Sequence, residues 1–483
     1  MSRLRRAQVV LLAIACAAVQ NACSAKAPAA VPDIGVEVFE SSADLRESLQ
    51  QKASVAFGAP QSSPLTINVD DAVTYQQMDG FGASITESSA WLMYNKLSVA
   101  QRDELMEKLF DPVKGIGLSF LRQPMGASDF ALKDYSYNDL PAGQRDPALT
   151  QFSIAHDRAY IVPLLRQAIA LNPQIKIMAS PWSPPGWMKT SDSMIEGKLL
   201  ATSYPALAKY FVKFVHAYAA EGIPIYAVSM QNEPLFSPGN YPGTLVTAEE
   251  QAVFIRDHLG PAFRAQNLDT KIMVFDHNWD LISYANTVLS DPKAASFVAG
   301  TAVHCYGGSV TAQTQLRNQF PDKDIWETEC SGGAWQPKNL LSEQVGLIIG
   351  STRNWAKGVI LWNLALDQTN GPHLGGCGNC RGLVTIDTNA SPSTTTLTVD
   401  YVALGHASKF VSPGAWRVES NSFDTGLQDV AFRNPDGSIV LLALNSGSTT
   451  VSFHVGWSGR SFAYTLNPGS AATFRWRPPG QRE

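Results

Sequence analysis

The chain has 483 residues, longer than one ordinary domain, which suits an enzyme core of roughly 300–400 residues with a smaller module attached. Charged residues make up only 16 % and the net charge is −5, a balance that argues against a nucleic-acid binder, for which a basic face is the expected footprint. Thirty-six glycines and 29 prolines punctuate loops without reaching the level of a disordered chain. The 11 tryptophans exceed what packing alone asks for, and a pyranose face, which presents C–H groups, stacks on such rings.

The first 30 residues read as a targeting segment to be kept out of the fold. Arg3, Arg5 and Arg6 form a positive start, Val9 to Val19 an apolar run, and Ala25-Lys26-Ala27 a cleavage option. That run is too short to span a bilayer as a mature helix. Cys23 offers a lipid anchor after cleavage at Ala22, although Gln20 is a poor residue three positions before such a cysteine. The expectation is export, to the periplasm or beyond, with lipidation left open. No later stretch of about 18 apolar residues suggests a transmembrane span.

Residues 31–75 carry short β-patterned pieces, Ile34 to Phe39 and Leu65 to Val69, with no helical period between them. From Gly80 the pattern becomes strand–helix alternation. Strands are expected at Gly80 to Ile85, Leu118 to Pro124, Ile175 to Ser180 and Ile225 to Pro234. Four more follow at Lys271 to Phe275, Gly300 to Cys305, Ile325 to Glu329 and Gly358 to Trp362. Helical spacing lies between them, at Val99 to Leu109, His156 to Leu171 and Pro205 to Glu221, and near 249–258, 282–289, 311–320 and 342–354. Eight alternations over 76–395 fit a (β/α)₈ TIM barrel, an α/β fold. A doubly wound sheet is the rival, but no G-x-G-x-x-G follows the first strand.

After about residue 395 the helices are expected to stop, with the Ser/Thr-rich stretch 391–397 as a linker. Asn434-Pro435-Asp436-Gly437 between two apolar runs signals a hairpin, and further strands near 449–455, 462–465 and 471–476 complete an antiparallel β-sandwich over 396–483. The N-terminal strands of 31–75 lack a sheet of their own and are expected to join it, so both chain ends build the second domain.

Active sites of barrels sit where strands end. Asn232-Glu233-Pro234 closes the fourth strand and Thr328-Glu329 the seventh, and two carboxylates at facing strand ends suggest glycoside hydrolysis. One carboxyl donates a proton and the other attacks, which in a retaining enzyme requires a separation of roughly 5–5.5 Å. Glu233 as acid needs a raised pKa, and Glu329 as nucleophile needs a neighbouring cation such as Arg122 to stay ionised. Asn232 is placed to bind a sugar 2-hydroxyl. The same mouth collects Asp129, Trp182, His304, Tyr306 and Trp362. Glu327 is a rival nucleophile, expected one layer deeper, and Glu87 reads as a loop hydrogen-bonder. Cys377-Gly378-Asn379-Cys380 is read as a tight disulfide loop in preference to half a zinc site, since no second ligand pair stands nearby. Cys305 and Cys330 are read as buried thiols.

With these residues in view, the chain resembles glycoside hydrolase family 30, and within it the glucosylceramidases (acid β-glucosidases) and their bacterial relatives. The resemblance is carried by Gly80-Phe81-Gly82-Ala83, Arg122-Gln123-Pro124-Met125-Gly126-Ala127-Ser128-Asp129-Phe130, Ala179-Ser180-Pro181-Trp182 and Asn232-Glu233-Pro234. It continues through Ala302-Val303-His304-Cys305-Tyr306, Thr328-Glu329, Trp362-Asn363-Leu364-Ala365-Leu366 and Leu404-Gly405-His406-Ala407-Ser408-Lys409-Phe410. It implies a barrel with a β-sandwich from both chain ends, and retaining hydrolysis of a carbohydrate or glycolipid with Glu233 as acid/base and Glu329 as nucleophile. Asp129, Trp182, Asn232 and Trp362 fall on glycone-binding positions, and Arg122, His304 and Tyr306 surround the nucleophile. No metal or organic cofactor is implied. Two departures bear on the substrate. Cys305 stands where the animal glucosylceramidases carry tryptophan, and Gly375 to Gly382 looks like a feature of branches that include endo-β-1,6-glucanases. The expectation is a glucosylceramidase-type β-glucosidase, with an endo-β-1,6-glucanase as the alternative.

Overall fold

The computed structural model describes residues 34–61, 63–336, 340–423 and 425–479; the expected leader and Cys23 lie outside them. Eight parallel strands form the barrel: β1 (Gly80–Ala83), β2 (Phe120–Pro124), β3 (Lys176–Ser180), β4 (Ala227–Ser229), β5 (Lys271–Asn278), β6 (Val298–His304), β7 (Asp324–Glu329) and β8 (Ala356–Leu361). They neighbour one another in chain order, and β8 returns to β1. The strands are buried on both faces, which is why each reads as an apolar run rather than an alternation.

Closure between β1 and β2 depends on glycine. A β-carbon on Gly82 would sit 2.0 Å from the carbonyl oxygen of Phe120, so only glycine allows the approach. There Ser119 N donates to Phe81 O and Ile85 N to Arg122 O, each at 2.9 Å. Phe120, Met178, Ala227, Met273, Ala302, Trp326 and Ile360 pack together as the barrel's filling. Beneath them, at the N-terminal end, buried Asp79 accepts from Lys176 Nζ (2.5 Å), Tyr226 Oη (2.8 Å) and Trp326 Nε1 (2.6 Å).

The outer helices follow the expected pattern, with capping boxes at Ser98/Gln101 and Thr247/Glu250 fixing two starts. One helix escaped the sequence reading: Glu87–Asn95, which follows β1. A second, Val399–Ser408, falls where helices were expected to stop. All ten of its residues are buried, so it lacks the polar face that makes a helix period visible. It is held to the barrel by Ser408 Oγ on Ile116 O (2.6 Å) and to the sheet by His406, whose ring nitrogens meet Thr473 (2.9 Å) and Ser41 (2.8 Å). The supposed linker is also structured: Thr394–Leu397 pairs antiparallel with Val384–Asp387, which lies parallel to Ala365–Asp367.

The second domain is a ten-stranded sheet built from both chain ends. Ile34–Ser41 runs antiparallel to Ala471–Trp476, and the hairpin Leu427–Arg433 / Ile439–Asn445 turns at Gly437, whose φ of 79° suits glycine. The long strand Thr66–Gln77 serves two partners, antiparallel to Trp416–Ser420 and parallel to Val451–Trp457. That parallel pairing lies outside the purely antiparallel expectation. Among the described residues no helix is long and apolar enough to cross a membrane.

Candidate active site

The mouth of the barrel is arranged around a residue the sequence reading passed over. Asp276 follows Phe275, and both have positive φ, 66° and 76°. The register with β6 steps from Ala302↔Phe275 to Val303↔His277, so Asp276 is the extra residue of a bulge. The bulge turns its carboxylate inward, where it accepts from Arg122 (2.9 Å), Ser180 (2.8 Å), Ser229 (2.6 Å), His304 (3.0 Å) and Thr328 (2.7 Å). Burial alone would push Asp276 up, but the Arg122 charge and the His304 bond hold it well below the usual carboxylate range.

Arg122, fully buried on β2, is the cation of this network. Besides Asp276 it donates to Glu329 Oε2 and to Asn232 Oδ1 (2.6 Å), and its guanidinium lies over the rings of Trp182 (4.8 Å) and Trp362 (5.7 Å). Tyr306 Oη donates to the other Glu329 oxygen at 2.9 Å. Burial lifts Glu329 above the ordinary range and outweighs the charges of His304 and Arg122, so the cation does not depress this carboxyl as the sequence leads one to expect.

His304 ends β6 with one ring nitrogen on Asp276 and the other 3.1 Å from Glu233 Oε1. Against burial, which lowers it, Glu329 and the two hydrogen-bonded carboxylates raise it to about 10. Set between Glu233 and Asp276, His304 is thereby biased toward its charged form. This corrects the expectation for Glu233. Burial pushes Glu233 up, but the bond and charge of His304 outweigh it and hold the carboxyl below its usual range. Glu233 itself has φ 43°, a left-handed backbone rare outside glycine, maintained by its N–H on Asp276 O (3.0 Å).

Asp129, Trp182, Asn232, Glu233, Tyr306, Glu329 and Trp362 all line one cavity of about 490 Å³, with Arg122 and His304 behind its wall. Trp182 and Trp362 stack at 4.9 Å, and Phe130 meets Trp362 edge-on. Asp129 is buried with Oδ1 unpartnered, and burial followed by the charges of Glu329 and Glu233 lifts it well above a normal carboxyl. Gly376, φ 66°, presses against it; a β-carbon there would lie 2.4 Å from Asp129 Oδ2. Cys377 and Cys380 form the disulfide expected of them and close the same side.

Other residues fall elsewhere. Glu327 lies on the opposite face of β7 from Trp326 and Thr328, accepting from Trp279 (3.1 Å) and Gln313 (2.9 Å), so it does not line the cavity. Glu87, at a helix start, is bound by His156 (2.6 Å) and the Leu132 amide (2.9 Å). Cys305 and Cys330 are not thiols but a disulfide tying the ends of β6 and β7, Cα atoms 5.3 Å apart. Two cysteines just past the ends of adjacent strands β6 and β7 are the signal that could have revealed this pairing. Phe236, Tyr241 and Trp335 complete the cavity; the first two belong to the loop after Glu233, and Trp335 gave no sequence signal. Among the described residues one group, Glu233 with His277 and His304, has ligand atoms close enough together for a metal ion.

Residues 78–411 match the glycosyl hydrolase family 30 TIM-barrel domain and residues 414–474 that family's β-sandwich domain. The chain belongs to glycoside hydrolase family 30. It is 34 % identical to an endo-1,6-β-D-glucanase of Aspergillus fumigatus, over 84 % of this chain and 87 % of that protein. The lysosomal acid glucosylceramidase of Mus musculus is 30 % identical over 96 % of this chain and 93 % of its own. A solved structure, the endo-β1,6-glucanase BT3312, superposes with a TM-score of 0.84 at 34 % identity, covering 92 % of this chain and 99 % of that one. As a member of this family the protein is a glycosidase, and a carbohydrate substrate follows.

Proposed function

We propose that this family 30 glycosidase cleaves internal bonds of a β-1,6-linked glucan with retention of configuration. The observation that carries the reading is the shape beyond the catalytic cavity. Past Tyr306 and Trp335, which belong to both, a second cavity of about 650 Å³ opens, lined by Gln336, Gln344, Gln428 and Ser446 among others. Amides and hydroxyls flanked by exposed aromatic rings suit a run of sugar hydroxyls and oppose two alkyl tails. The endo-1,6-glucanase relatives support the same choice.

In the mechanism, Glu329 attacks the anomeric carbon from its seat on Arg122 and Tyr306 while the C1–O bond breaks. The leaving oxygen takes a proton through Glu233, resupplied from His304 Nδ1. A water then gives its proton to Glu233, which returns it to His304, as the water oxygen displaces Glu329 from the sugar. Asn232, pinned by Arg122, is the partner for the 2-hydroxyl, and the raised carboxyl of Asp129 meets hydroxyls on the far side of the ring. The two disulfides suit an exported enzyme.

Incubation with a β-1,6-glucan is expected to release oligosaccharides whose new reducing ends are first β. Glucose from glucosylceramide with an intact glucan would overturn the reading in favour of a glucosylceramidase. That alternative is favoured by Leu235 and Phe236, apolar side chains 44 % and 48 % exposed beside the mouth. Release of α-anomers would overturn the retaining step.

A further inference from the structure

The corner behind Glu233 holds a second arrangement of ligands. His277 follows the Asp276 bulge on β5 and His304 ends β6, so imidazoles from neighbouring strands converge on one carboxylate. Nδ1 of His304 is 3.1 Å and Nδ1 of His277 3.7 Å from Glu233 Oε1, and one ligand atom from each of the three residues lies within 4.8 Å of the others. His277 is 6 % exposed, yet its Nδ1 has no hydrogen-bond partner, an arrangement that costs free energy unless something fills it. The far nitrogen of His304 is fixed at 3.0 Å by Asp276 Oδ1, the carboxylate–histidine pairing that orients a metal-bound imidazole.

Two imidazoles and one carboxylate are the donor set of zinc and its first-row neighbours, the ion displacing the Nδ1 proton of His304 to solvent; magnesium and calcium favour oxygen alone. Tetrahedral bonds of about 2.0 Å place ligand atoms roughly 3.3 Å apart, so the group closes on an ion with small rotations of the His277 ring and the Glu233 carboxyl. Glu233 lines the cavity, which leaves a fourth position for water on the open side. Cys305, Cys330, Cys377 and Cys380 are all in disulfides, so none of these offers a competing thiolate.

We propose that Glu233, His277 and His304 form a binding site for a divalent transition-metal ion of the zinc class, and that an ion bound there occupies the proton-donating carboxylate and stops hydrolysis. Binding stands on the geometry alone; the inhibition rests on the role given to Glu233 above.

The test is titration of the purified protein with Co²⁺ and Zn²⁺, followed by visible absorption and by hydrolysis of an aryl β-glucoside and a β-1,6-glucan. A cobalt band displaced by zinc is expected, with hydrolysis falling over the same zinc range and returning on addition of EDTA. His277→Phe is expected to weaken both effects at least roughly tenfold, and His277→Gln carries the comparison if the first variant fails to fold. No cobalt band in folded wild-type protein, or a band and inhibition unchanged in the His277 variants, would overturn the site. Cobalt binding through His277 in a protein that hydrolyses no β-glucoside or glucan would support the site and overturn the catalytic reading instead.

Discussion

The two ends of the barrel bury a carboxylate among cations and reach opposite outcomes. At the base, Asp79 is met by Lys176, Tyr226 and Trp326, with the Lys357 charge close by, and both its oxygens are engaged. At the mouth, Asp276 is equally well held by Arg122, His304 and three hydroxyls, yet the shell around it leaves Asp129 Oδ1 and His277 Nδ1 without partners. A buried polar atom without a partner costs about 1–3 kcal/mol, so the base is satisfied within the protein while the mouth keeps polar atoms that a ligand can satisfy.

The largest effect that can break this contrast lies at Glu329. Glu329→Gln is expected to lower kcat on an aryl β-glucoside on the order of 10⁴-fold or more, read by steady-state kinetics. If Glu327→Gln were the dead variant and Glu329→Gln stayed active, the mouth would have been misread. Next comes Glu233→Gln, expected to cost on the order of 10²–10⁴-fold on the glucan, where the leaving oxygen needs a proton. Much less should be lost with a nitrophenolate leaving group, and equal losses on both substrates would remove Glu233 from proton transfer.

The paired variants Asp276→Asn and Asp79→Asn sharpen the comparison itself. Asp276→Asn leaves Arg122 and His304 short of an anion and is expected to lower stability by about 3–5 kcal/mol together with kcat/KM. Asp79→Asn is expected to lower stability by about 1–3 kcal/mol with kcat/KM unchanged in the folded protein. Chemical denaturation and kinetics on the same samples separate the two. The smallest effect is in pH. Burial raises Asp79, but Lys357 and Lys176 outweigh it and hold the group below its ordinary value. A depressed carboxyl adds stability above its unfolded pKa, near 3.9, that is lost as pH falls through the folded value. The acid side of the stability profile, below about pH 4, should therefore be flatter in Asp79→Asn than in wild type.

Strand ends were legible because polar residues there interrupt apolar runs: Asn232, Glu233 and Glu329 announced themselves that way, and so did Arg122 within Leu121-Arg122-Gln123. Asp276 was missed by one position. The run Lys271 to Phe275 read as complete, and the bulge that turns the next residue inward breaks the alternation on which facing is judged. A similar step on β7, between Val303↔Glu327 and His304↔Glu329, spoiled the parity argument that ranked Glu327 as a rival. The charge of Glu233 was misjudged because it is set by His304, 71 residues away in sequence. Val399–Ser408 was invisible for the reverse reason, since a helix buried on every side has no period to read.

That helix has one more consequence. Wedged between the barrel wall and the sheet, it leaves no seam along which the catalytic part can be cut free, and the described residues from Ile34 onward form one compact unit. A chain ended near residue 411 would bare apolar surface on both sides of the cut and aggregate rather than yield a minimal enzyme. The intact protein should melt in a single calorimetric transition, its sheet serving as the foundation the barrel cannot stand without.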